Sequence, residues 1–331
     1  MNKYLKLYES HSQYVEPEVK PNVSYCIQED EVHYSPIPHD YSKDYLTIES
    51  LENNNDVYFK ENYSGFEKTI LISVNEGSSW TEFTSSPNNN GTFIATINKG
   101  DKLLIKGNSA LGSSNRENAI HLTKNFNVEG NIMSLLYNDN FIDKTSISSY
   151  SYAFKGLFAN NPNLISIENL VLPATILSIG CYSSMFQNCT SIVTTPVLPA
   201  TTLTNSCYYI MFGGCTSLTT APELPATALA SLCYASMFNG CTSLITAPIL
   251  PATNLVDKCY NYMFNGCTSL NYIKAMFTTT PVGTSATYSS TYDWVKNVAS
   301  TGTFVKNAAA TWTNVGTYAV PSGWTVQTAT E

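Results

Sequence analysis

The sequence predicts a mainly β protein, and two patterns carry that prediction. Residues 153–270 repeat with a period of 26, which is typical of a solenoid whose coils stack because one coil cannot bury its own apolar face. Residues 45–131 alternate short runs of branched and aromatic residues with turn residues, which is typical of a small antiparallel β-sandwich. The predicted parts are an N-terminal extended docking arm (1–44), a β-sandwich (45–140), a repeat solenoid (141–270) and a C-terminal capping segment (271–331).

The composition narrows the classes of partner. The 331 residues include 25 acids and 17 Lys or Arg, for a net charge of -8, and Arg116 is the one arginine. Phosphate recognition needs clustered cations, so we expect no nucleic-acid partner. No run of about 18 apolar residues occurs, so we expect no membrane insertion. The first residues contain no apolar export segment, so we expect synthesis and folding in a cytoplasm, with reduced thiols.

The first part, residues 1–44, carries four prolines, three of the four histidines and a surplus of acids. No apolar period in it lasts long enough for a helix or a packed sheet. Its scattered aromatic residues favour an extended arm that docks on a partner, because aromatic side chains are common anchors at interfaces. A disordered tail is the alternative. The residues that we expect to dock are Tyr4, Tyr8, Tyr14, Tyr25, Cys26, Val32, His33 and Tyr34.

The second part contains short runs that are typical of strands. Examples are residues 69–74, 80–83, 91–97 and 102–106, separated by Asn-Glu-Gly, Asn-Lys-Gly and similar turn sequences. The core of a sandwich explains their apolar positions, and none of them indicates a reaction.

The third part is marked by residues that recur every 26 positions. Two cysteine columns, a Met-Phe pair and a Leu-Pro-Ala-Thr motif appear in each unit, and a degenerate first copy begins at Ala153. Fixed leucine positions at this period predict a leucine-rich-repeat solenoid in which these columns form the core. The cysteines are Cys181, Cys207, Cys233 and Cys259 in one column and Cys189, Cys215, Cys241 and Cys267 in the other.

Positions that vary between units are predicted to face outward. They are the two residues after the Cys-Tyr of each unit and the three residues before it. This surface is either a binding face or plain solvated surface, and its candidate ligand residues are Tyr209, Asn261 and Tyr262.

The cysteines are predicted to be reduced core thiols. Their spacing of eight within a unit, with no histidine in the repeats, does not fit a zinc site, so we expect no metal and no cofactor. Free cysteine packs as a small apolar residue. Cys26 in the arm is expected to pack at the docking site rather than to react.

The fourth part, residues 271–331, abandons the period. The sequence predicts a short amphipathic helix over 292–298 and two strands over 302–306 and 323–326. A solenoid needs terminal caps, and Trp294, Trp312 and Trp324 are predicted to pack there. An aromatic ligand platform is the alternative.

The repeat unit, Cys-Tyr-x-x-Met-Phe-x-Gly-Cys-Thr-Ser-Leu-x-x-x-Pro-x-Leu-Pro-Ala-Thr, resembles the BspA-like leucine-rich repeats common in gut Bacteroidetes and their phages. The segment 130–137 and the ending 320–326 look like the usual neighbours of such arrays. The leader segment 21–36 is similar to that of virion proteins from crAss-like and related Bacteroides phages.

These resemblances imply a structural virion protein, a head fibre or capsid decoration protein assembled in the host cytoplasm. The arm would attach to capsid or tail proteins, and the repeats would adhere to a host surface or its glycans. A homo-oligomer is expected, with a trimer as one form. The alternatives are a tail fibre or receptor-binding protein of the phage and a bacterial BspA-like surface adhesin, which would carry an export signal.

We expect no enzyme. The four histidines have no nucleophile and carboxylate at a recognisable spacing, and no phosphate-binding glycine loop occurs. The few acids in the repeats lie near their outer edges, which does not suit the paired carboxylates of a glycosidase.

Overall fold

A computed structural model describes the backbone of residues 23–28 and 31–36 and, with side chains, residues 39–59, 69–84, 91–111, 119–282 and 289–330. The fold of these residues is mainly β, with several sheets and one short helix. The chain divides into two compact units, residues 1–40 and residues 41–331.

The first unit contains a two-stranded antiparallel hairpin. Strand β1 (Val23–Gln28) pairs with β2 (Glu31–Pro36). The sequence predicted an extended arm with no pattern for a helix or a packed sheet, and it did not predict this hairpin. Half of β1 is β-branched or aromatic, β2 adds Val32 and Tyr34, and only two residues separate the strands, so the pairing is entirely local.

The second unit opens with eight strands. They are β3 (Leu46–Ser50), β4 (Asn55–Phe59), β5 (Thr69–Ser73), β6 (Thr81–Thr84), β7 (Thr92–Ile97), β8 (Lys102–Gly107), β9 (Ile120–Leu122) and β10 (Phe126–Asn131). The four example runs that the sequence predicted as strands correspond to β5, β6, β7 and β8 and are confirmed. A helix of one turn, α1 (Ser134–Tyr137), follows β10.

These strands form two sheets that share one hydrophobic core. A seven-stranded sheet has the order β11-β10-β3-β8-β5-β6, in which β11 is Leu164–Ser166, and β12 (Leu170–Val171) also pairs with β10. A three-stranded sheet has the order β7-β4-β9. Buried residues of each sheet, such as Ile48 in β3 and Val57 in β4, belong to the same apolar cluster as the buried residues of the repeats.

Strand β10 connects the two halves of the second unit. It pairs antiparallel with β3 on one side and parallel with β11 and β12 on the other. Gly130 makes this junction feasible, because its φ is +81° and a β-carbon there would collide with the carbonyl oxygen of Tyr45. The sheet and the core therefore run without interruption across residue 140.

Each repeat contains a nine-residue ribbon of consecutive turns. Even-numbered residues donate to the next coil, as Tyr182 N–H does to the Cys207 carbonyl at 2.9 Å, and odd-numbered residues donate three residues back, as Ser183 does to Gly180 at 3.1 Å. Every fourth residue has a positive φ. Five coils stack in this way, at residues 152–160, 180–188, 206–214, 232–240 and 258–266, and a sixth at 289–297 continues the stack with odd and even positions exchanged.

The recurring columns fill the core of the stack, as the sequence predicted. The tyrosine rings of successive coils stack with centroids 5.8 Å apart and 3° between planes for Tyr182 and Tyr208. The phenylalanine rings do the same, with 5.6 Å and 8° for Phe186 and Phe212. Both cysteine columns and the methionine column are fully buried.

The C-terminal segment continues the stack. Strands β13 (Tyr272–Ala275), β14 (Thr303–Lys306) and β15 (Thr325–Thr328) form a parallel sheet. The two strands predicted there, which correspond to β14 and β15, are confirmed. The helix predicted over 292–298 is wrong, because these residues form most of the sixth ribbon coil. Trp294, Trp312 and Trp324 are buried, as predicted, and each indole N–H donates to a backbone carbonyl.

Candidate binding surface

The outward face predicted for the variable columns is partly wrong. Asn261 is buried, and its side-chain oxygen accepts the Tyr292 N–H at 2.9 Å, so it holds the sixth coil rather than a ligand. Ala235 in the same column is also buried, since stacked coils place it between two larger side chains. Tyr209 and Tyr262 are half-buried and remain at the surface. The other members of the two columns behave unevenly, with Ser183 and Ser184 buried and Ile210 and Ser236 half-buried.

The three residues before each leading cysteine also differ from coil to coil. Ile179 is exposed as predicted, whereas Ser178 is buried and its hydroxyl donates to the Tyr150 carbonyl at 2.6 Å. The hydroxyl thereby ties one coil to the preceding one. The three positions before the leading cysteines therefore do not form a uniformly exposed surface along the stack.

An aromatic and polar patch lies where the fifth coil meets the sixth. The rings of Tyr262 and Tyr292 contact edge to face with centroids 5.3 Å apart. Asp293 is held by Lys296 at 3.0 Å and by the Thr317 hydroxyl at 2.8 Å. Burial and the neighbouring Tyr292 raise the pKa of Tyr262, so its hydroxyl stays neutral. Such a patch offers ring faces together with a fixed carboxylate acceptor.

Sequence reasoning missed Tyr292, Asp293 and Lys296 as surface residues. The signal that could have found them is the sequence Tyr-Asp-Trp at 292–294. Its Trp294 takes the place of Met263 in the next coil, but at a spacing of 31 residues instead of 26. Tyr292 thereby occupies the column of Tyr209 and Asn261.

A second surface feature is a cleft of about 430 Å³ between two coils. Its walls are the segments 221–225 and 247–251, each with two prolines. Proline has no N–H, so the two prolines of each wall cannot donate a backbone hydrogen bond across the cleft. Other residues of the second wall do donate to the following segment, as Leu250 N–H does to the Lys274 carbonyl at 3.0 Å. Glu223 is the one charged residue of the lining.

The buried cysteines have a structural task. Each thiol of the second column lies on the phenylalanine carbonyl of the preceding coil, as Cys215 does on Phe186 at 3.1 Å. Burial raises the pKa of Cys189 and Cys267 to about 12 and raises the pKa of every other thiol in the two columns. Reactive cysteines need thiolate character, which these lack.

In the first coil, Asn161 takes the place of the second cysteine. Its amide donates to the Phe158 carbonyl at 3.0 Å and to the Ile120 carbonyl at 2.9 Å. Its side-chain oxygen lies 2.9 Å from Nδ1 of His121. One substitution in the column therefore fastens the stack to β9.

A lysine-centred cluster, formed by Lys106, Asp139, Tyr45 and Trp80, lies on the seven-stranded sheet. Lys106, which is nearly buried, contacts the Asp139 carboxylate at 2.6 Å and lies 4.0 Å above the Trp80 ring. The Tyr45 hydroxyl donates to the same carboxylate at 2.7 Å. These hydrogen bonds from Lys106 and Tyr45 lower the pKa of Asp139, and burial with the bond to Asp139 raises the pKa of Tyr45 to about 12.

The predicted docking residues fall in the first unit. Tyr4, Tyr8 and Tyr14 lie outside the described residues. The hairpin register places Tyr25 opposite Tyr34, Cys26 opposite His33 and Ile27 opposite Val32. The backbone thus brings five of the predicted docking residues into one hairpin.

Within the described residues, no three His, Cys, Asp or Glu side chains come together as metal ligands. None of the helices in that part of the chain is long and apolar enough to cross a membrane. Comparisons with protein-family models, curated proteins and solved structures found no match.

Proposed function

We propose that the chain is a structural virion protein that attaches to a phage capsid through residues 1–44 and displays a leucine-rich-repeat solenoid of BspA-like type. The observation that carries the proposal is the division into a small N-terminal unit and a long second unit. An attachment module and a display module need this kind of separation, because each must fold without the other.

The stack suits display rather than chemistry. Its ring ladders and inter-coil hydrogen bonds stabilise the repeats from coil to coil, and its thiols are buried and neutral. Residues 153–270 carry five charged side chains, which are Lys155, Glu168, Glu223, Asp257 and Lys258. A nearly uncharged surface rich in Ser, Thr and Asn favours weak contacts with neutral host glycans. Many copies on one particle would strengthen such contacts by avidity.

The patch formed by Tyr262, Tyr292 and Asp293 is the proposed glycan contact. Binding of the full chain to a glycan array should fall strongly in Tyr262→Ala and Tyr292→Ala. The matched control is Tyr58→Ala, which removes a half-buried tyrosine of β4. Equal loss in the control, or no loss in the patch variants, would reject the patch.

Mass spectrometry of density-banded phage particles tests the virion assignment. The chain should be present in stoichiometric amount, and a variant that lacks residues 1–40, the first unit, should be absent from particles while its repeats stay folded. A full-length chain missing from clean particles would favour a bacterial surface adhesin. Chain found on isolated tails and not on heads would favour a tail fibre.

A further inference from the structure

The two ends of the stack differ in how their outermost backbone N–H and C=O groups are paired. At the first coil, Leu111 and Ile120 donate N–H groups to the Ala153 and Leu157 carbonyls at 2.9 and 3.1 Å, and β11 and β12 pair with β10. At the sixth ribbon coil, Val295 donates to the Thr317 carbonyl at 3.2 Å. Strand β15 pairs with β14 on one side, and no other described strand pairs with it.

The register defines which groups of β15 point outward. Thr325 N–H donates to Gly302 at 2.9 Å and Ala329 N–H donates to Lys306 at 2.8 Å, both toward β14. Because the direction alternates along a strand, Val326 and Thr328 turn their N–H and C=O groups away from β14. All four residues of β15 are exposed, with Val326 at 46%.

This edge lacks most of the features that normally prevent strand pairing. Native edges are protected by being very short or by lysine, proline, a bulge or an inward charge, and of these β15 has only its short length of four residues. The sequence Thr-Val-Gln-Thr-Ala-Thr at 325–330 contains none of these residues and is rich in β-branched side chains. An identical strand would bring no like charges opposite each other.

We propose that β15 is a self-pairing edge, at which a second copy of this chain adds its own β15 antiparallel about a two-fold axis. The outward groups fix the register, since Val326 must lie opposite Thr328 for both to form hydrogen bonds. The axis then passes through Gln327, which faces its own copy, and Thr325 lies opposite Ala329. The pairing joins two three-stranded sheets into one of six strands. This inference does not depend on the virion assignment.

Cysteine crosslinking of the full chain tests the register. At a directly opposed antiparallel pair without hydrogen bonds, the β-carbons lie within disulfide reach, so Gln327→Cys should form a covalent dimer under mild oxidation. The matched control, Val326→Cys, lies one residue away and opposite Thr328, so it should crosslink at the background level of the wild-type chain. Equal crosslinking of the two variants overturns the proposal.

Light scattering of the wild-type chain gives an independent readout. Mass should rise with concentration from 36.4 kDa toward twice that value. Val326→Pro removes an outward N–H and keeps the bonds to β14, so it should stay monomeric with an unchanged circular dichroism spectrum, whereas Val326→Thr should still associate. A wild-type monomer at all concentrations, a trimer, or unaltered association in Val326→Pro overturns the proposal.

Discussion

Raising the pH should unfold this protein through its buried thiols. Eight cysteines are buried in the stack, and burial raises the pKa of each of them above the usual 9.0. A raised folded-state pKa contributes stability that is fully present below pH 9. That stability is lost as the pH rises toward the folded-state pKa, because unfolding then releases a proton from each thiol.

The size of the effect follows from the number of thiols. At pH 10, a thiol whose unfolded pKa is 9.0 and which stays neutral in the fold loses on the order of 1 kcal/mol of its contribution to stability. The eight together lose on the order of 10 kcal/mol, which is comparable with the whole stability of a typical domain, roughly 5–15 kcal/mol. The buried tyrosines Tyr182, Tyr208, Tyr234 and Tyr260 add to the loss above pH 10.

Urea unfolding followed by tryptophan fluorescence, in reductant and between pH 7.5 and pH 10.5, measures this loss. The midpoint should be flat to about pH 8.5 and then fall steeply. A variant with alanine at Cys189, Cys215, Cys241 and Cys267 should be less stable at pH 8 and should show about half the pH dependence. A midpoint that does not change up to pH 10.5 would refute the buried, neutral state of the thiols.

Three further perturbations test the packing. Phe212→Ala should cost about 3–5 kcal/mol in urea unfolding, because it empties one step of a stacked ladder, and Phe212→Leu should cost less. Asn161→Ala removes the amide hydrogen bonds to the Phe158 carbonyl and to the Ile120 carbonyl of β9, so hydrogen exchange of β9 should speed up more than that of β14. Lys106→Met should raise the Asp139 pKa toward its usual 3.8, as NMR titration would show, and should reduce the stability lost when the pH falls below that value.

The 26-residue period was enough to predict the core of the stack. Residues such as Tyr182, Phe186 and Cys189 recur because each coil places the same side chain above the previous one, and all three are buried as predicted. Strands β5 to β8 could also be predicted, since local turn chemistry bounds each of them.

The ribbon explains why the sixth coil was predicted as a helix. Its turns repeat every four residues, so its buried side chains recur at nearly the spacing of an α-helix. Thr291, Trp294, Val295 and Val298 fit a helical face, and only the stacking partner in the fifth coil distinguishes the two structures. Asn261 was predicted to face outward for the same reason. Tyr292, the larger residue above it, belongs to a coil that lies outside the 26-residue period, so the repeat pattern did not indicate that Asn261 is buried.

The lysine-centred cluster could not be predicted for a related reason. Lys106, Asp139 and Trp80 are far apart in sequence, and each is unremarkable in its own segment. Their contact exists only because β8, the residues after α1 and the residues before β6 meet at one point of the sheet.

Electron cryo-microscopy of intact particles is the most direct test of the proposed role. We expect residues 1–44 to lie against capsid protein and the repeat stack to project outward from the head. Density that places the stack against the capsid with the N-terminal unit outward, or heads that carry no copy of the chain, would contradict it.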